Sequence, residues 1–319
     1  MPIVAATSQN LDRAAALLRD GGVVAFPTET VYGLGANAFD ARAVARIFEI
    51  KRRPAFDPLI VHVLDETMLA CIVAEIPPAA RTLIAAFWPG PLTLVLPKRS
   101  AVPDLATSGL PTVAVRMPAH PVARALLDRS GLALAAPSAN PFGRLSPTRA
   151  EHVDRMLGES VDLIVDGGAA QHGIESTIVG FQPKPVLLRP GAISTAAIES
   201  AIGAIATASL RDGDAPTASG QLPHHYAPRT PIRLVDVDNV PASARARAGF
   251  IGLSRRPQGY AQSRLLSEGG DLREAAARLF ATLHELDELG LERIDAEAVP
   301  EVGLGIAIMD RLRRAARME

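Results

Sequence analysis

Short apolar runs alternate with amphipathic stretches along the first 204 residues. Uninterrupted apolar runs, such as those at 23–26 and 59–63, are typical of buried strands. Between them apolar residues recur at helical spacing, as at 41–50. The alternation predicts an α/β domain over residues 1–204. Because several strands are expected in succession within 162–189, we expect a mixed twisted sheet with antiparallel members and flanking helices.

Local signals place some of the helix boundaries and turns. Ser146 followed by Pro147 predicts an N-cap and first helical position, because proline is favoured where the backbone N–H has no helical partner. Two further helices are predicted at 65–74 and 78–87. The polar, glycine-containing stretch at 28–37 is interpreted as a turn.

The pattern changes at residues 205–230, which are rich in Ala, Ser, Thr, Gly and Pro and poor in large apolar residues. This composition predicts a linker, although it contains the less usual run HHYAP. From residue 231 strands and helices resume, and the segment 231–319 is long enough for a small Rossmann-like α/β domain. It lacks a GxGxxG phosphate loop. Regulation, interdomain gating and partner docking all stay open as roles for it.

Composition narrows the functional classes. The 319 residues carry a formal net charge of −1, so any site for an anion must be a local cluster of cations. The N-terminal stretch lacks the basic segment and apolar run of a signal peptide, and no run approaches the roughly 20 apolar residues of a membrane helix. We therefore expect a cytoplasmic, reducing setting in which the single cysteine, Cys71, is buried and inert.

The distribution of cations indicates an anion pocket. Arginine is abundant, whereas lysine occurs only three times, and one of the three is Lys51, two residues before Arg53 at the expected end of a helix. Arg116 and Arg189 each end a predicted strand, where side chains often point into a ligand crevice. Each of these cations could instead be a solvated side chain. Together they favour a pocket for something small and anionic.

Hydroxyl and amide side chains fall in turns next to the same strands. In PSAN (137–140) every side chain is small, so its backbone could approach a phosphate closely. Ser146, as an N-cap, would aim helix N–H groups at the same anion. The alternative is that these groups only bond their own turns. The set comprises Thr28, Thr30, Ser138, Asn140, Ser146, Ser176 and Thr177.

Several chemistries have no support in the sequence. No GxSxG elbow, HExxH, CxxC or calcium-loop motif is present, so neither a serine nucleophile nor a protein-built metal site is expected. His62, within an apolar strand, is either a packed core residue or a ligand contact.

A family resemblance is carried by KRRPxxxPLIVHV, WPGPLTLVL, VRMPxHPVA, APSAN, SPT and ESTIV…LLRPGAI. Together these motifs resemble the YrdC-like domain. With the linker and the C-terminal segment, the whole chain resembles the long, two-domain form of the threonylcarbamoyl-AMP synthase family. The resemblance implies a YrdC-like catalytic domain at 1–204, a linker that serves as an active-site lid at 205–230 and a Rossmann-like domain at 231–319.

The resemblance also implies a reaction. L-Threonine, bicarbonate and ATP, with Mg²⁺, would give L-threonylcarbamoyladenylate and pyrophosphate. This nucleotidyltransferase product would feed threonylcarbamoyladenosine modification of tRNA by a separate transferase complex, so we expect direct tRNA binding to be weak or absent. No membrane association is implied.

The resemblance assigns roles residue by residue. Lys51 and Arg53 would be catalytic, with Lys51 nearest the carbamate and the α-phosphate. L-Threonine would be bound by Thr30, His62, Arg116, Ala136 and Ser176. ATP would be bound by Arg53, Asp57, Thr112, Ser138, Asn140, Ser146, Arg189 and Tyr226.

The linker departs from the family pattern. The family usually has SPGMxxxHYAP, whereas this chain has SGQLPHHYAP at 219–228. HYAP is kept, so Tyr226 is expected to cap the nucleotide, and the altered first half leaves the lid contacts open.

Two rival functions were weighed. A carbamoyl-adenylate enzyme of hydrogenase maturation shares the domain but resembles a fusion with cysteine-rich zinc fingers, which a single cysteine excludes. An RNA-binding module is weakened by the net charge of −1 and the lack of aromatic stacking motifs.

Overall fold

The computed structural model of the chain describes residues 3–181, 183–208, 216–222 and 225–316. Parts of the predicted linker, 209–215 and 223–224 with His224, therefore lie outside the described residues. The described chain forms two sheets, one of eleven strands and one of four. None of its helices combines the length and the apolar character needed to cross a membrane.

The large sheet is mixed, as predicted. Its strands are β1 (Ile3–Ala5), β2 (Val24–Pro27), β3 (Tyr32–Asn37), β4 (Ile60–His62), β5 (Leu92–Pro97), β6 (Thr112–Arg116), β7 (Leu134–Ala135), β8 (Leu163–Asp166), β9 (Thr177–Gly180), β10 (Val186–Arg189) and β11 (Ala206–Thr207). They are ordered β1-β8-β2-β3-β7-β4-β6-β5-β9-β10-β11. β4 and β6 are parallel, whereas β5–β6 and β9–β10 are antiparallel.

Eight helices among the described residues flank this sheet: α1 (Ser8–Arg19), α2 (Ala41–Lys51), α3 (Glu66–Ala70), α4 (Pro78–Phe87), α5 (Asp104–Thr107), α6 (Pro121–Ser130), α7 (Ala150–Leu157) and α8 (Thr195–Ile202). Asp40 caps α2, because its carboxylate accepts from the Arg42 N–H at 2.8 Å. The helix ends at Arg52, which adopts the left-handed conformation with φ of 51°. This end fixes the position of Lys51.

The second unit is a parallel sheet with two long helices. It contains β12 (Ile232–Val235), α9 (Ala242–Arg245), β13 (Ala248–Gly252), β14 (Gln262–Leu265), α10 (Leu272–Asp287), β15 (Arg293–Glu297) and α11 (Gly305–Ala315). The strand order is β12-β15-β13-β14, and every pair is parallel. A mixed sheet joined to a smaller parallel α/β unit is the predicted fold class. The predicted boundary at 204 stays a prediction, and β11 lies just beyond it, paired with β10.

Several expectations about the first unit were wrong. The stretch at 28–37 is not only a turn, because Tyr32–Asn37 forms β3, antiparallel to β2. Its glycines make room for a ring: a Cβ on Gly35 would lie 2.5 Å from Cε1 of Phe26. The helix predicted at 65–74 ends at Ala70, because Ala74 N–H bonds to Pro97 at the end of β5 instead. Cys71, expected to be buried, is exposed at the end of that helix.

The helix predicted from Ser146 begins only at Ala150. The backbone before Ala150 makes hydrogen bonds outside the helix. The Pro147 carbonyl accepts from Tyr32 N–H at 2.8 Å, and the Thr148 carbonyl accepts from Ala170 N–H at 2.9 Å. Ser146 is therefore not an N-cap, and it cannot aim helix N–H groups at a ligand.

The two units share packed surfaces. Val31, Leu145 and Ile174 of the first unit, together with Tyr226 of the linker, belong to the same apolar cluster as the core of the second unit. The second unit therefore packs against the first unit next to residues predicted to form the site.

Candidate active site

A small cavity opens between strand ends of the large sheet and the linker. Eight of the fourteen predicted site residues line it: Thr30, His62, Arg116, Ala136, Ser138, Ser176, Arg189 and Tyr226. They come from loops and strands far apart in the chain, which the sheet order brings together.

Thr30, His62 and Arg116 form what we call the Arg116 end of the cavity. His62 and Arg116 are direct neighbours in the parallel register of β4 and β6. Arg116 Nη1 donates to Thr30 Oγ1 at 2.8 Å. Burial, reinforced by the charge of Arg116, lowers the pKa of His62 to about 3, so this imidazole is neutral near pH 7. Its Nδ1 has no hydrogen-bond partner among the described residues and is free to contact a ligand.

Arg116 is paired with a residue that the sequence interpretation passed over. Glu29 Oε1 lies 2.6 Å from Arg116 Nη2, and both side chains are buried. Burial raises the pKa of Glu29, but the charge of Arg116, the hydrogen bond to it and backbone N–H groups together outweigh burial, and the pKa falls to about 2. The guanidinium of Arg116, predicted to bind a carboxylate of the ligand, is thus already paired with the opposite charge of Glu29.

Ser176 lies between the Arg116 end and a second group of cations. Its Oγ is 2.7 Å from Thr93 Oγ1, and Thr93 pairs with Arg116 across β5 and β6. On its other side, Arg189 Nη2 donates to Ser176 Oγ at 3.2 Å and to its carbonyl at 2.9 Å. Ser176 therefore connects the residues predicted for threonine with those predicted for ATP.

Lys51, Arg53, Asp57 and Arg189 form what we call the Arg189 end. Arg53 Nη2 lies 2.9 Å from Asp57 Oδ2, inside the protein. Burial raises the pKa of Asp57, while the charges of Arg53, Lys51 and Arg189 oppose that rise. Arg53 and Arg189 alone outnumber this carboxylate, so this end is positive.

Lys51 is 1% exposed and does not line the cavity directly. Its Nζ donates to the carbonyls of Ser138, at 2.6 Å, and of Asn140. Burial lowers the pKa of Lys51 well below its usual value. The ammonium therefore fixes the turn at 137–140, the PSAN turn, and acts on the cavity through it.

Five of the eight predicted ATP residues do not line the cavity: Arg53, Asp57, Thr112, Asn140 and Ser146. The Asn140 amide closes its own turn on the carbonyls of Pro141 and Arg144. Ser146 donates to Glu175 Oε1 at 2.5 Å. Thr112 begins β6, at the end of the strand opposite to Arg116. Their predicted roles stay predictions.

The linker covers the Arg189 end. Ser219 lies between the arginines, since Arg53 Nη2 donates to its Oγ at 3.0 Å and Arg189 Nη1 donates to its carbonyl at 3.1 Å. Tyr226, with φ of 68°, is 1% exposed and packs on Phe280 of α10. The described residues of the altered linker motif therefore contact this part of the molecule, and its role as a lid stays a prediction.

Arg311, on α11, was also missed by the sequence interpretation. Its side chain is fully buried, and Nε donates to Glu175 Oε2 at 2.8 Å. Nη1 donates to the Pro190 carbonyl at 2.9 Å, and the guanidinium lies 5.0 Å from the centre of the Tyr226 ring. It thus touches the neighbours of Ser176 and Arg189 as well as the linker. Only its position on a C-terminal helix was visible in the sequence.

The arrangement suits electrostatic catalysis on an anionic substrate. A positive end, a charge-compensated end and a closing linker can bind, orient and desolvate reactants. Among the described residues, no group of three or more His, Cys, Asp or Glu side chains is placed to hold a metal ion.

Comparison with known proteins covers both units. A family model described as telomere recombination (Sua5/YciO/YrdC) matches residues 16–191, and one described as threonylcarbamoyl-AMP synthase, C-terminal domain, matches residues 193–317. The chain is 43% identical to the threonylcarbamoyl-AMP synthase of Pyrococcus abyssi over 95% of its own length and 92% of that protein. It is 44% identical to the Bacillus subtilis protein of the same name, with the same two coverages.

The fold agrees with a solved structure over almost the whole chain. The crystal structure of P. abyssi Sua5 complexed with L-threonine superposes with a TM-score of 0.93 at 41% identity, covering 99% of this chain and 98% of that one. The similarity therefore includes the second unit and its placement.

Proposed function

The chain belongs to the Sua5/YciO/YrdC family of threonylcarbamoyl-AMP synthases, in its two-domain form, and from that membership we propose that it condenses L-threonine, bicarbonate and ATP to L-threonylcarbamoyl-AMP and pyrophosphate. It is accordingly an enzyme of the nucleotidyltransferase class. The observation that carries the detailed proposal is that Ser176 joins the Arg116 end to the Arg189 end within one cavity.

The two ends suit different reactants. We propose that the carboxylate of threonine binds Arg116 and that its hydroxyl and amine face Thr30, His62 and Ser176. The triphosphate would lie toward Arg53 and Arg189, taking the hydrogen bonds that Ser219 now receives from both arginines. Tyr226 would cover the nucleotide. The PSAN turn, held by Lys51, would lie beside the α-phosphate.

The proposed chemistry needs no covalent enzyme intermediate. The ammonium of bound threonine first gives up a proton to solvent. The neutral amine then attacks the carbon of bicarbonate, and loss of water leaves a carbamate. A carbamate oxygen then attacks the α-phosphorus of ATP, and the bond to the β-phosphate oxygen breaks to release pyrophosphate. The residues hold the reactants in line and stabilise charge on the phosphate oxygens.

Mg²⁺ is proposed to arrive with ATP, held mainly by phosphate oxygens, as is usual for this ion. Asp57 is already paired with Arg53 at 2.9 Å and does not line the cavity, so no protein ligand is assigned to the ion. The product would pass to a separate transferase that acts on tRNA in the cytoplasm.

Release of pyrophosphate tests the proposal directly. We expect release from ATP to require both L-threonine and bicarbonate, measured with each omitted in turn. Release that ignores threonine would refute the reaction. Strong, salt-sensitive tRNA binding without ATP turnover would favour the RNA-binding alternative.

A further inference from the structure

The Glu29–Arg116 pair is built behind the cavity rather than into it. Arg116 lines the cavity and Glu29 does not. Glu29 Oε1 lies 2.6 Å from Arg116 Nη2, and its Oε2 accepts from the His120 N–H at 3.3 Å. Its backbone is held as well, because its carbonyl accepts from His172 N–H at 2.7 Å. Glu29 is therefore placed to act on a ligand only through Arg116.

Three contacts fix the orientation of the guanidinium. Besides the Glu29 carboxylate, Arg116 Nη1 donates to Thr30 Oγ1 at 2.8 Å and Nε donates to the Gly90 carbonyl at 3.2 Å. Arginine presents five N–H donors, so donors on Nη1 and Nη2 remain for a ligand. The carboxylate thus selects which edge of the guanidinium faces the cavity.

The pair also sets the charge of this end. Arg116 and Glu29 cancel, and His62 beside them is neutral. The Arg189 end is different, since Arg53 and Arg189 meet there at Ser219, whereas the Asp57 carboxylate pairs with Arg53. Glu175 also lines the cavity but is paired with Arg311. The positive charge is therefore concentrated at the end proposed for the triphosphate.

A zwitterionic amino acid and a phosphate respond differently to this separation. Zwitterionic threonine has no net charge, so it can enter a compensated site without leaving a buried excess charge. A phosphate or pyrophosphate brings one or more uncompensated negative charges, which are costly to bury beside a neutral ion pair. An Arg116 without Glu29 would instead be an ordinary buried oxyanion site.

We propose that Glu29 is a positioning residue that determines specificity at the Arg116 end: it orients Arg116 for the threonine carboxylate and excludes phosphate from that end. The proposal rests on the function proposed above. In this proposal the Glu29 carboxylate, which touches neither reactant, determines which end of the cavity each reactant occupies.

The test is steady-state pyrophosphate release by Glu29→Gln, with inorganic phosphate as the probe anion. We expect KM for threonine to rise about 10- to 100-fold, with kcat reduced far less, because the oriented edge of Arg116 is lost. Phosphate should compete with ATP alone in the unaltered protein. In Glu29→Gln it should also compete with threonine.

Two further variants sharpen the result. Glu49→Gln makes the same change on the exposed face of α2 and should leave both patterns unchanged. Glu29→Asp keeps the charge but shortens the side chain, so KM for threonine should rise while phosphate still fails to compete with it. A merely structural role would lower kcat and stability in both Glu29 variants without altering the inhibition pattern.

The outcomes separate the two proposals. An unchanged threonine KM and unchanged phosphate inhibition in Glu29→Gln would overturn the role of Glu29, while threonine-dependent release by the unaltered protein would leave the reaction standing. If Glu29→Gln does not fold, Glu29→Asp decides, and an unchanged threonine KM there overturns the proposal. Threonine-independent release by the unaltered protein would refute the function itself.

Discussion

Lys51 shows how a buried charge can organise a site without facing its ligand. Its ammonium donates to the carbonyls of Ser138 and Asn140, so two backbone acceptors of the PSAN turn depend on one side chain. Residues 138 and 140 are the positions at which the backbone is expected to approach a phosphate. Removing the ammonium should therefore disturb both folding and turnover.

Replacing Lys51 by methionine keeps most of the side-chain volume and removes the charge. We expect pyrophosphate release to fall at least 100-fold and the free energy of unfolding to fall by about 1–3 kcal/mol, because the carbonyls lose a buried donor. Kinetic assays and urea denaturation measure the two effects. Lys184→Met, at an exposed position, is the matched control and should change neither. Normal release by Lys51→Met would show that the ammonium is dispensable.

At the residue scale, the sequence predicted eight of the residues that line the cavity but not the side-chain pairs that they form. Arg116 and Arg189 end strands, and that position brought them to the cavity as expected. Glu29 was missed because only the hydroxyl groups of its neighbours Thr28 and Thr30 were considered as candidate site groups. Its partner lies on a strand 87 residues away, and no local spacing encodes such a contact.

At the scale of elements, strong helical periodicity gave a correct helix, whereas glycine and proline signals gave wrong turns and helix starts. The helix indicated by apolar residues at 41–50 was found as predicted, and Asp40 caps it. Ser146–Pro147 has the residues of a helix start, but neighbouring strands and loops take its backbone bonds. The glycines of β3 were interpreted as a turn because the ring of Phe26 that needs their space lies on another strand.

The loop between β8 and β9 offers a test of how the units dock. Gly173, with φ of 66°, lies against α10, and a Cβ there would be 2.2 Å from the Ala277 carbonyl oxygen. Gly173→Ala should lower the free energy of unfolding by about 1–3 kcal/mol more than backbone strain alone, because α10 must move. Thermal unfolding and proteolysis of residues 205–230 measure the change.

Gly168→Ala is the matched control for Gly173→Ala. Its φ is also positive, at 85°, so the backbone strain is comparable, but nothing lies within 4 Å of the added Cβ. Equal destabilisation by the two variants would contradict a role for close packing against α10.

For the whole molecule, the interface contains a pair of buried histidines. His152 of α7 stacks on His284 of α10 with 4.0 Å between ring centres, and His284 Nε2 lies 3.1 Å from the Ser146 carbonyl. Burial lowers the pKa of His152 to about 3, helped by His284, and lowers that of His284 to about 4. Arg155, Asp287 and Glu288 surround the pair.

These shifts give the folded protein a dependence on pH. Because the pKa values in the folded state are depressed, the unfolded chain binds more protons below its own value of about 6.5. The stabilisation should be complete above pH 6.5 and should be lost as the pH falls toward 4. Urea denaturation between pH 7.5 and 5 should show the decline, to which His62 also contributes because its pKa is lowered to about 3, and His284→Gln should make it shallower. An identical slope in that variant would exclude the pair as its source.

Arg311 tests whether the second unit supports catalysis. Arg311→Met should lower pyrophosphate release about 10-fold or more and raise protease cleavage within 205–230, because Glu175 and Tyr226 lose a shared buried partner. Arg313→Met, whose exposed arginine pairs only with Glu301 among the described residues, is the control on the same helix. If both variants behave alike, the second unit does not act through Arg311.

The two-unit organisation was visible from composition, whereas the coupling between units was not. The sparse apolar content of 205–230 indicated two domains, and the boundaries drawn from it stay predictions. Arg311, Gly173 and the histidine pair depend on surfaces meeting in three dimensions, and each looks ordinary in its own segment.

The scarcity of lysine has a consequence for amine chemistry on this protein. All three lysines lie in described ranges: Lys51 is enclosed by the PSAN turn, Lys98 is paired with Asp104, and Lys184 is exposed in the turn between β9 and β10. Acylating reagents should therefore modify Lys184 first among the side chains, away from the enclosed ammonium. Acylation at Lys51 would then show that its ammonium had lost its hydrogen bonds to the PSAN turn and become accessible to the reagent.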